Sequence, residues 1–321
     1  MLRWGLLGAS RIADARVAPA MRSTGHDLAV VGARSLSRAQ QFAARHGVRR
    51  ARGSYQDVLD SADVDAVYIA LPNDLHEPWA LAALDAGKHV LCEKPMAMDA
   101  QAASRMAAAA GANGRLLMEA LMTRFHPRTT ALLELAHGGD IGQIRHVSAV
   151  FAFSMDRPDD YRARPEHGGG ALLDLGVYGA ALSRWLVTEE PNDWSGAQNR
   201  TASGVDGATA ALLTFPSGTT ATVYASHLGA RVQRLTVFGS RGILETPDAF
   251  TAGADTDAVL LRDGREVGAW RADPYELMVR AFGDAVSTGA GTAPLSAEDA
   301  IATAAVLDRV AAASPMPVAR E

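Results

Sequence analysis

The stretch "GLLGASRIA", Gly5 to Ala13, decides how the chain is read. An apolar run enters Gly8, and from there the residues keep the spacing G-x-G-x-x-G/A of the phosphate-binding turn between a strand and a helix. In such a turn the first glycine makes the bend and the second lets the backbone approach a pyrophosphate. The third, often Ala, lets the helix close on the strand. Gly8 and Ala13 fill the first and third roles, and Ser10 stands at the second, where its hydroxyl can donate to a phosphate oxygen at some cost in closeness. Gly8, Ala9, Ser10, Arg11 and Ile12 are therefore candidates to line a dinucleotide. Alone, so degenerate a turn also fits a strand–helix bend that binds nothing. Its place at the head of a βαβ series gives it weight.

Working outward, apolar or β-branched runs alternate with helical patterns. "LRWGLLG" precedes a helix from Ile12, "LAVVGAR" one from Ser35 to His46, and "DAVYIALP" one from Asp74 to Ala86. "KHVLCEKP" precedes a helix from Asp99 to Ala110, and "RLLMEA" closes the series. This spacing predicts an α/β fold whose N-terminal part is a Rossmann-type, doubly wound parallel sheet. After Met122 the rhythm changes. A helix over His126 to His137 leads to "GQIRHVSAVFAF", then to the helical "GGGALLDLGVYGAALSRWL" and to strands in "ATAALLTF", "TTATVYASH", "RLTVFGS" and "GILET". "PSG" (Pro216 to Gly218) and "RDG" (Arg262 to Gly264) mark hairpins. Late helices are expected over Pro274 to Ser287 and Ser296 to Ala312, with "SPMPVARE" fraying. The expected division is a dinucleotide-binding domain over 1–122 and a second α/β domain over 123–321. The latter should hold an open, mostly antiparallel sheet with helices on one face.

The end of the second strand bears on which nucleotide binds. An NAD site wants an acid about 20 residues past the turn to hold the ribose 2′-hydroxyl. Here "VGARSLSR" offers none: Arg34 and Ser35 follow Ala33, with Arg38 one turn on. An arginine can stack on adenine and pair with a 2′-phosphate, which favours NADP.

Hydride transfer at a carbinol carbon needs a group that moves the hydroxyl proton and a positive group beside the oxygen. "EKP", Glu93 to Pro95, comes after the fifth strand at the carboxyl edge, and Lys94 can hold a substrate oxygen. In "GGGALLDLGVYGA", Asp174 and Tyr178 stand four apart on a helix. The three glycines, Gly168 to Gly170, imply a close backbone approach. A tyrosine is a poor base near its ordinary pKa of about 10, but a nearby cation favours the phenolate. Each residue by itself also suits a packing or surface role.

Taken in order, the dinucleotide turn, "LPNDLH" (Leu71 to His76), "EKP", "EALMTRFHP" (Glu119 to Pro127) and "GGGALLDLGVYG" resemble the Gfo/Idh/MocA oxidoreductase family over nearly the whole chain. The branch is similar to dimeric dihydrodiol dehydrogenase and the NADP-dependent D-xylose (aldose) dehydrogenases. The resemblance implies a Rossmann domain plus an α/β domain whose open sheet face often makes dimers. It places Lys94, Asp174 and Tyr178 at catalytic positions. It also implies cofactor contacts from Leu71, Pro72, Asn73, His76 and Glu93, with Asn73 and His76 along the nicotinamide ribose and Arg124 near cofactor or substrate. In the inositol-dehydrogenase branch a His fills the position of Tyr178. Ser10 departs from the glycine common in the family.

Composition narrows the field. The 321 residues are 48% hydrophobic and 21% charged with a formal charge of −5, so a nucleic acid is not an expected partner. "VRRAR" (Val48 to Arg52) fits a solvated strand edge. The lone Cys92 excludes an internal disulfide and fits a reducing, cytoplasmic compartment. No leader pattern precedes the first strand, and no apolar run approaches the ~20 residues of a membrane span. His126, His146 and His167 are scattered and offer no metal site, and no G-x-S-x-G elbow is present. The expected protein is an NADP-dependent oxidoreductase acting on a cyclic polyol, an aldose at C1 or a trans-dihydrodiol, as a homodimer or higher oligomer. A glycosidase of the same fold that retains its nicotinamide and a cofactor-sensing regulator are the alternatives.

Overall fold

The computed structural model describes residues 1–157 and 159–314, so most of the stretch expected to fray lies outside it. The chain divides into two compact units: Met1–Met122 with Tyr275–Ile301, and Thr123–Pro274 with the chain from Ala302 on.

The first unit is built on six parallel strands: β1 (Arg3–Leu7), β2 (Asp27–Gly32), β3 (Arg50–Arg52), β4 (Ala66–Ile69), β5 (His89–Cys92) and β6 (Leu117–Glu119). Their spatial order is β3-β2-β1-β4-β5-β6. The chain runs outward from β1, then returns to β4 on its other side, and this reversal opens a crevice at the carboxyl ends of β1 and β4. The strands are flanked by α1 (Ala18–Ser23), α2 (Leu36–His46), α3 (Gln56–Leu59), α4 (His76–Asp85) and α5 (Ala100–Asn113). Local chemistry sets the helix boundaries. Ser35 and Asp99 cap α2 and α5 by accepting from Arg38 N and Ala102 N, and left-handed Gly47 and Gly114 end them. The helix after the phosphate turn opens as a π turn over Ala13–Val17 before α1. The basic "VRRAR" segment carries β3, the edge strand.

The second unit has α6 (Pro127–His137) and α7 (Val177–Val187), and an eight-stranded sheet. Its strands are β7 (Ile144–Ala152), β8 (Asp193–Arg200), β9 (Asp206–Thr214), β10 (Thr220–Ser226), β11 (Val232–Gly239), β12 (Ile243–Thr246), β13 (Ala258–Arg262) and β14 (Arg265–Trp270). The order is β14-β13-β12-β11-β7-β10-β9-β8, antiparallel except for β10 beside β7. Helix α7 lies close on the inner face, where a Cβ at Gly179 would stand 2.8 Å from Val223 and 3.0 Å from Ala149. The other face carries Leu212, Tyr224 and Phe238, exposed by 41%, 40% and 37%. β13 and β14 turn at Asp263 and Gly264, both at positive φ (51° and 75°), the conformation a tight hairpin requires.

Some elements go beyond the sequence reading. The polar "DWSGAQNR", to which that reading assigns no element, forms β8, where the edge of the sheet needs only one row of partners. The first of the two late helices is α8 (Pro274–Thr288). It belongs to the first unit, with Phe282 fully buried 5.5 Å from the ring of Trp4. Ala297 and Ala300, early in α9 (Ala297–Ala312), also join that unit's core. Periodicity shows that a helix has an apolar face but not which sheet receives it.

Among the described residues no helix is long and apolar enough to cross a membrane. Among the same residues, no group of three or more His, Cys, Asp and Glu could hold a metal ion.

Candidate active site

In the first unit the segments leaving β1, β2, β4 and β5 emerge at one edge of the sheet, because all four strands run the same way. Gly8 has φ +106°, its N–H donates to Gly32 O at 2.9 Å, and a Cβ there would lie 2.7 Å from the Ala70 carbonyl oxygen. No other residue fits that bend without pushing the end of β1 off β4. Ser10 Oγ accepts from Ala13 N at 3.2 Å, so the hydroxyl serves the helix start and keeps its own proton to donate. Arg38 Nη2 donates to Ala9 O at 3.2 Å and thus holds a guanidinium beside the turn. Arg34, Arg38 and Tyr55 share the patch beyond β2. Burial pushes the Tyr55 hydroxyl up, while the two arginines and a hydrogen bond with the Arg34 backbone pull it down. Ala33, just before Arg34, is buried.

The next loops are braced by main-chain contacts. His76 is fully buried, with Nδ1 2.8 Å from Pro95 O and Nε2 2.9 Å from Leu71 O. Burial lowers its pKa, while the contacts with the two carbonyls raise it. Its ring therefore ties the loop after β4 to the loop after β5. Asn73 is 3% exposed beside it. Glu93 accepts from Tyr68 Oη at 2.5 Å and from Lys94 N at 3.3 Å. Lys94 is half-buried, and the Lys94–Pro95 peptide is cis.

In the second unit Asp174 lies within a π turn, Leu172–Gly176, that leads into α7 and Tyr178. One extra residue in the turn shifts the register between the two side chains from that of a plain α-helix. Asp174 is buried, and its Oδ2 accepts from Arg162 Nε at 2.9 Å and from His227 Nε2 at 3.1 Å. Burial opposes the Arg162 charge, but Asp174, Tyr161 and Asp160 outweigh it and hold the guanidinium firmly protonated. Tyr178 packs against Phe151 at 5.4 Å and Phe250 at 5.6 Å. Phe250 is itself set by Arg128, a fully buried cation that donates to the carbonyls of Asp248 and Ala249, and by Gln233 Oε1, which accepts from Phe250 N. Arg124 stands over the Trp185 ring at 5.6 Å, in an open pocket lined also by Glu134, His137 and Glu190.

Two of the three glycines pack against protein backbone and side chain. Gly169 N and Gly170 N donate to Arg164 O and Arg162 O at 3.0 and 2.9 Å. At Gly170, with φ +117°, a Cβ would collide with the Asp206 carboxylate. Asp206 Oδ2 in turn accepts from Leu172 N at 2.7 Å, capping the turn that carries Asp174. No motif points to Arg162, His227 or Asp206. Arg162 and His227 lie 12 and 53 residues along the chain from Asp174, and Asp206 lies 34 from Leu172, beyond the reach of any local spacing rule.

A parallel sheet with a glycine turn at its switch point is the architecture of a dinucleotide-binding unit, and comparison with known proteins supplies the family. Residues 2–121 match the model described as the oxidoreductase family, NAD-binding Rossmann fold, and residues 129–245 match the GFO/IDH/MocA C-terminal domain. The chain belongs to the Gfo/Idh/MocA oxidoreductase family. It is 33% identical over 314 residues to the D-xylose 1-dehydrogenase (NADP(+)) 2 of Haloferax volcanii, covering 96% of each chain. It is 37% identical over 223 residues to the mouse trans-1,2-dihydrobenzene-1,2-diol dehydrogenase, covering 68% of this chain and 66% of the relative. Among solved structures it is similar to the 3-ketoreductase KijD10 of Actinomadura kijaniata in complex with NADP and TDP-benzene. That match has a TM-score of 0.91 and 31% identity and covers 98% of both chains.

The Asp174 cluster yields a stability test. Arg162→Met removes the guanidinium that Asp174 pairs with and leaves the buried carboxylate its His227 contact, which should cost up to about 3–5 kcal/mol in chemical denaturation. Adding Asp174→Asn removes the carboxylate charge as well, so the double variant should recover roughly 0.5–3 kcal/mol relative to additivity. Strict additivity of the two losses would show that the ion pair carries no coupling.

Proposed function

We propose that this chain is an NADP-dependent oxidoreductase that moves a hydride between the nicotinamide and a CH–OH carbon of a cyclic polyol, an aldose at C1 or a trans-dihydrodiol. The supporting observation is that Gly8, the Arg34–Arg38 patch and Lys94 come directly after β1, β2 and β5 along one edge of the parallel sheet. These residues suit NADP: Gly8 leaves room for backbone at the turn, Ser10 has a proton to donate, and two arginines flank the place of the 2′-phosphate. NADP, when bound, supplies the hydride acceptor or donor. Leu71, Pro72 and Asn73 follow β4 and Glu93 follows β5 on the same edge, with His76 bracing the two loops. Tyr178 exchanges the hydroxyl proton, Lys94 favours its phenolate and holds the substrate oxygen, and Asp174, fixed by Arg162 and His227, orients a neighbouring hydroxyl.

The likeness to KijD10 across 98% of both chains supports a second reading, reduction of a keto group on a nucleotide-linked sugar. Screening free sugars, diols and nucleotide-linked keto sugars with NADP and NADPH separates the two. We also propose a homodimer formed through the sheet face that bears Leu212, Tyr224 and Phe238; sedimentation of a monomer at micromolar concentration would remove that idea.

Cofactor choice is tested by titration. The wild type should bind NADP more tightly than NAD, since hydrogen bonds to charged groups contribute about 1.5–3 kcal/mol each. Arg34→Ala should weaken NADP by roughly tenfold or more and leave NAD nearly unchanged. Equal affinity of the wild type for both nucleotides contradicts the assignment.

The proton route is tested by Tyr178→Phe, which keeps the ring between Phe151 and Phe250 but removes the hydroxyl. Turnover should fall about 10²–10⁴-fold while NADP binding holds. Lys94→Met should leave activity that needs higher pH, and the two defects should not add because they serve one proton transfer. Turnover of Tyr178→Phe within about threefold of wild type, well short of that acid–base contribution, places the proton route elsewhere. Tight NADP binding with no substrate turned over favours a sensor.

A further inference from the structure

Beneath the turn that carries Lys94 lies a carboxyl group with no part in the chemistry above. Glu119 ends β6 and is 2% exposed. Its Oε1 accepts from Met96 N at 2.7 Å, while Oε2 is buried with no hydrogen-bond partner among the described residues. The adjoining backbone locks it in place, since Ala120 N donates to Cys92 O at 2.7 Å. The groups that face it are few. Glu93 and Lys94 come from the segment after β5, Asp299 comes from α9, and the buried thiol of Cys92 lies on β5, with Sγ 3.7 Å from Met96 O. A carboxylate in such a place has one donor and two acidic neighbours.

We propose that Glu119 is a positioning residue: as a neutral acid it holds the Lys94–Met96 turn through the Met96 amide, and its ionisation disturbs the seat of Lys94. An orphaned hydroxyl oxygen costs far less to bury than an orphaned charge. Burial, ahead of every other cause, pushes this carboxyl up to about 7; the Met96 amide and Lys94 pull it down, and Asp299 and Glu93 push it further up. Once ionised, Glu119 attracts the Lys94 ammonium, the cation that faces it. The wild type should then lose catalytic competence at a pH where an amide in its place would not.

The inference rests on the role proposed for Lys94, so the experiment has two readouts. The first is the melting temperature of wild type and Glu119→Gln against pH. The folded-state value near 7 lies above the ordinary 4.5, so the folded protein holds the proton longer than the unfolded chain does. Wild-type stability should therefore fall relative to Glu119→Gln as pH rises from about 4.5 through about 7, and the gap should level off above that. Carbon-13 titration of the wild-type glutamate carboxyls should show one group titrating near 7 without relying on any variant. The second readout is the pH profile of kcat. The ratio of wild type to Glu119→Gln should drop about three- to tenfold across the same range with KM little changed, a size suited to a sub-ångström misplacement. A stability gap that does not change with pH, or no carboxyl titrating near 7, overturns the neutral-acid assignment. A changing gap with a flat kcat ratio reduces Glu119 to a structural residue and overturns the positioning role. Lys94→Met turning over at the wild-type rate overturns the role of Lys94 itself, and the positioning role with it.

Discussion

The close approach of β1 to β4 at Gly8 is the constraint on which the first unit depends. A side chain there would meet the Ala70 carbonyl oxygen at 2.7 Å, so the bend can form only with a residue that has no Cβ and tolerates φ +106°. With the bend in place the next helix starts over the end of β1, and Ser10 caps it through Ala13 N. The chain then goes out through β2 and β3 and returns at β4, so the segments after β1 and β4 flank one crevice. Arg38 reaches back to Ala9 O, and His76 links the loops after β4 and β5. This edge of the sheet is thus a set of loops tied to one another through main-chain acceptors.

Buried carboxyls in the two units are handled in opposite ways. Asp174 is compensated: Arg162 and His227 both contact Oδ2 and stabilise a charge that burial would otherwise penalise. Glu119 is compensated only in part: one amide donor meets one oxygen, Lys94 is set against the acids Asp299 and Glu93, and burial pushes the carboxyl up to about 7. The first arrangement presents a fixed negative group within the turn that leads to Tyr178. The second presents a neutral brace whose state depends on pH. The difference comes from donor count and neighbouring charge, since both side chains are buried.

Much of this was legible in the chain. The alternation of apolar runs and helical patterns pointed to the parallel sheet, and "GLLGAS" with "VGARS" located the glycine turn after β1 and the arginine patch after β2, because turn chemistry is local and leaves fixed residue types at fixed offsets. Lys94, Asp174 and Tyr178 were legible as motif residues through resemblance. Their supports were not. Arg162, His227, Arg128 and Glu119 act on residues or backbone that only the tertiary fold brings near them, and no spacing rule encodes such contacts. The glycine triplet was legible as a close approach, but its partners, Arg162 O, Arg164 O and Asp206, were not. Helix α8 was visible as a helix, whereas its burial against Trp4 is a long-range choice that its amphipathic pattern leaves open.

Direct transfer of hydride from a CH–OH carbon is the central claim, and isotopic labelling tests it most directly. An aldose or diol bearing deuterium at the reacting carbon should be turned over with NADP while the label in the reduced nicotinamide is tracked by mass spectrometry. Deuterium delivered to the nicotinamide without exchange with solvent, together with slower transfer than from the unlabelled compound, is the predicted result. Reduced nicotinamide that carries only solvent hydrogen, or substrate consumed with no net reduction of NADP, would contradict it.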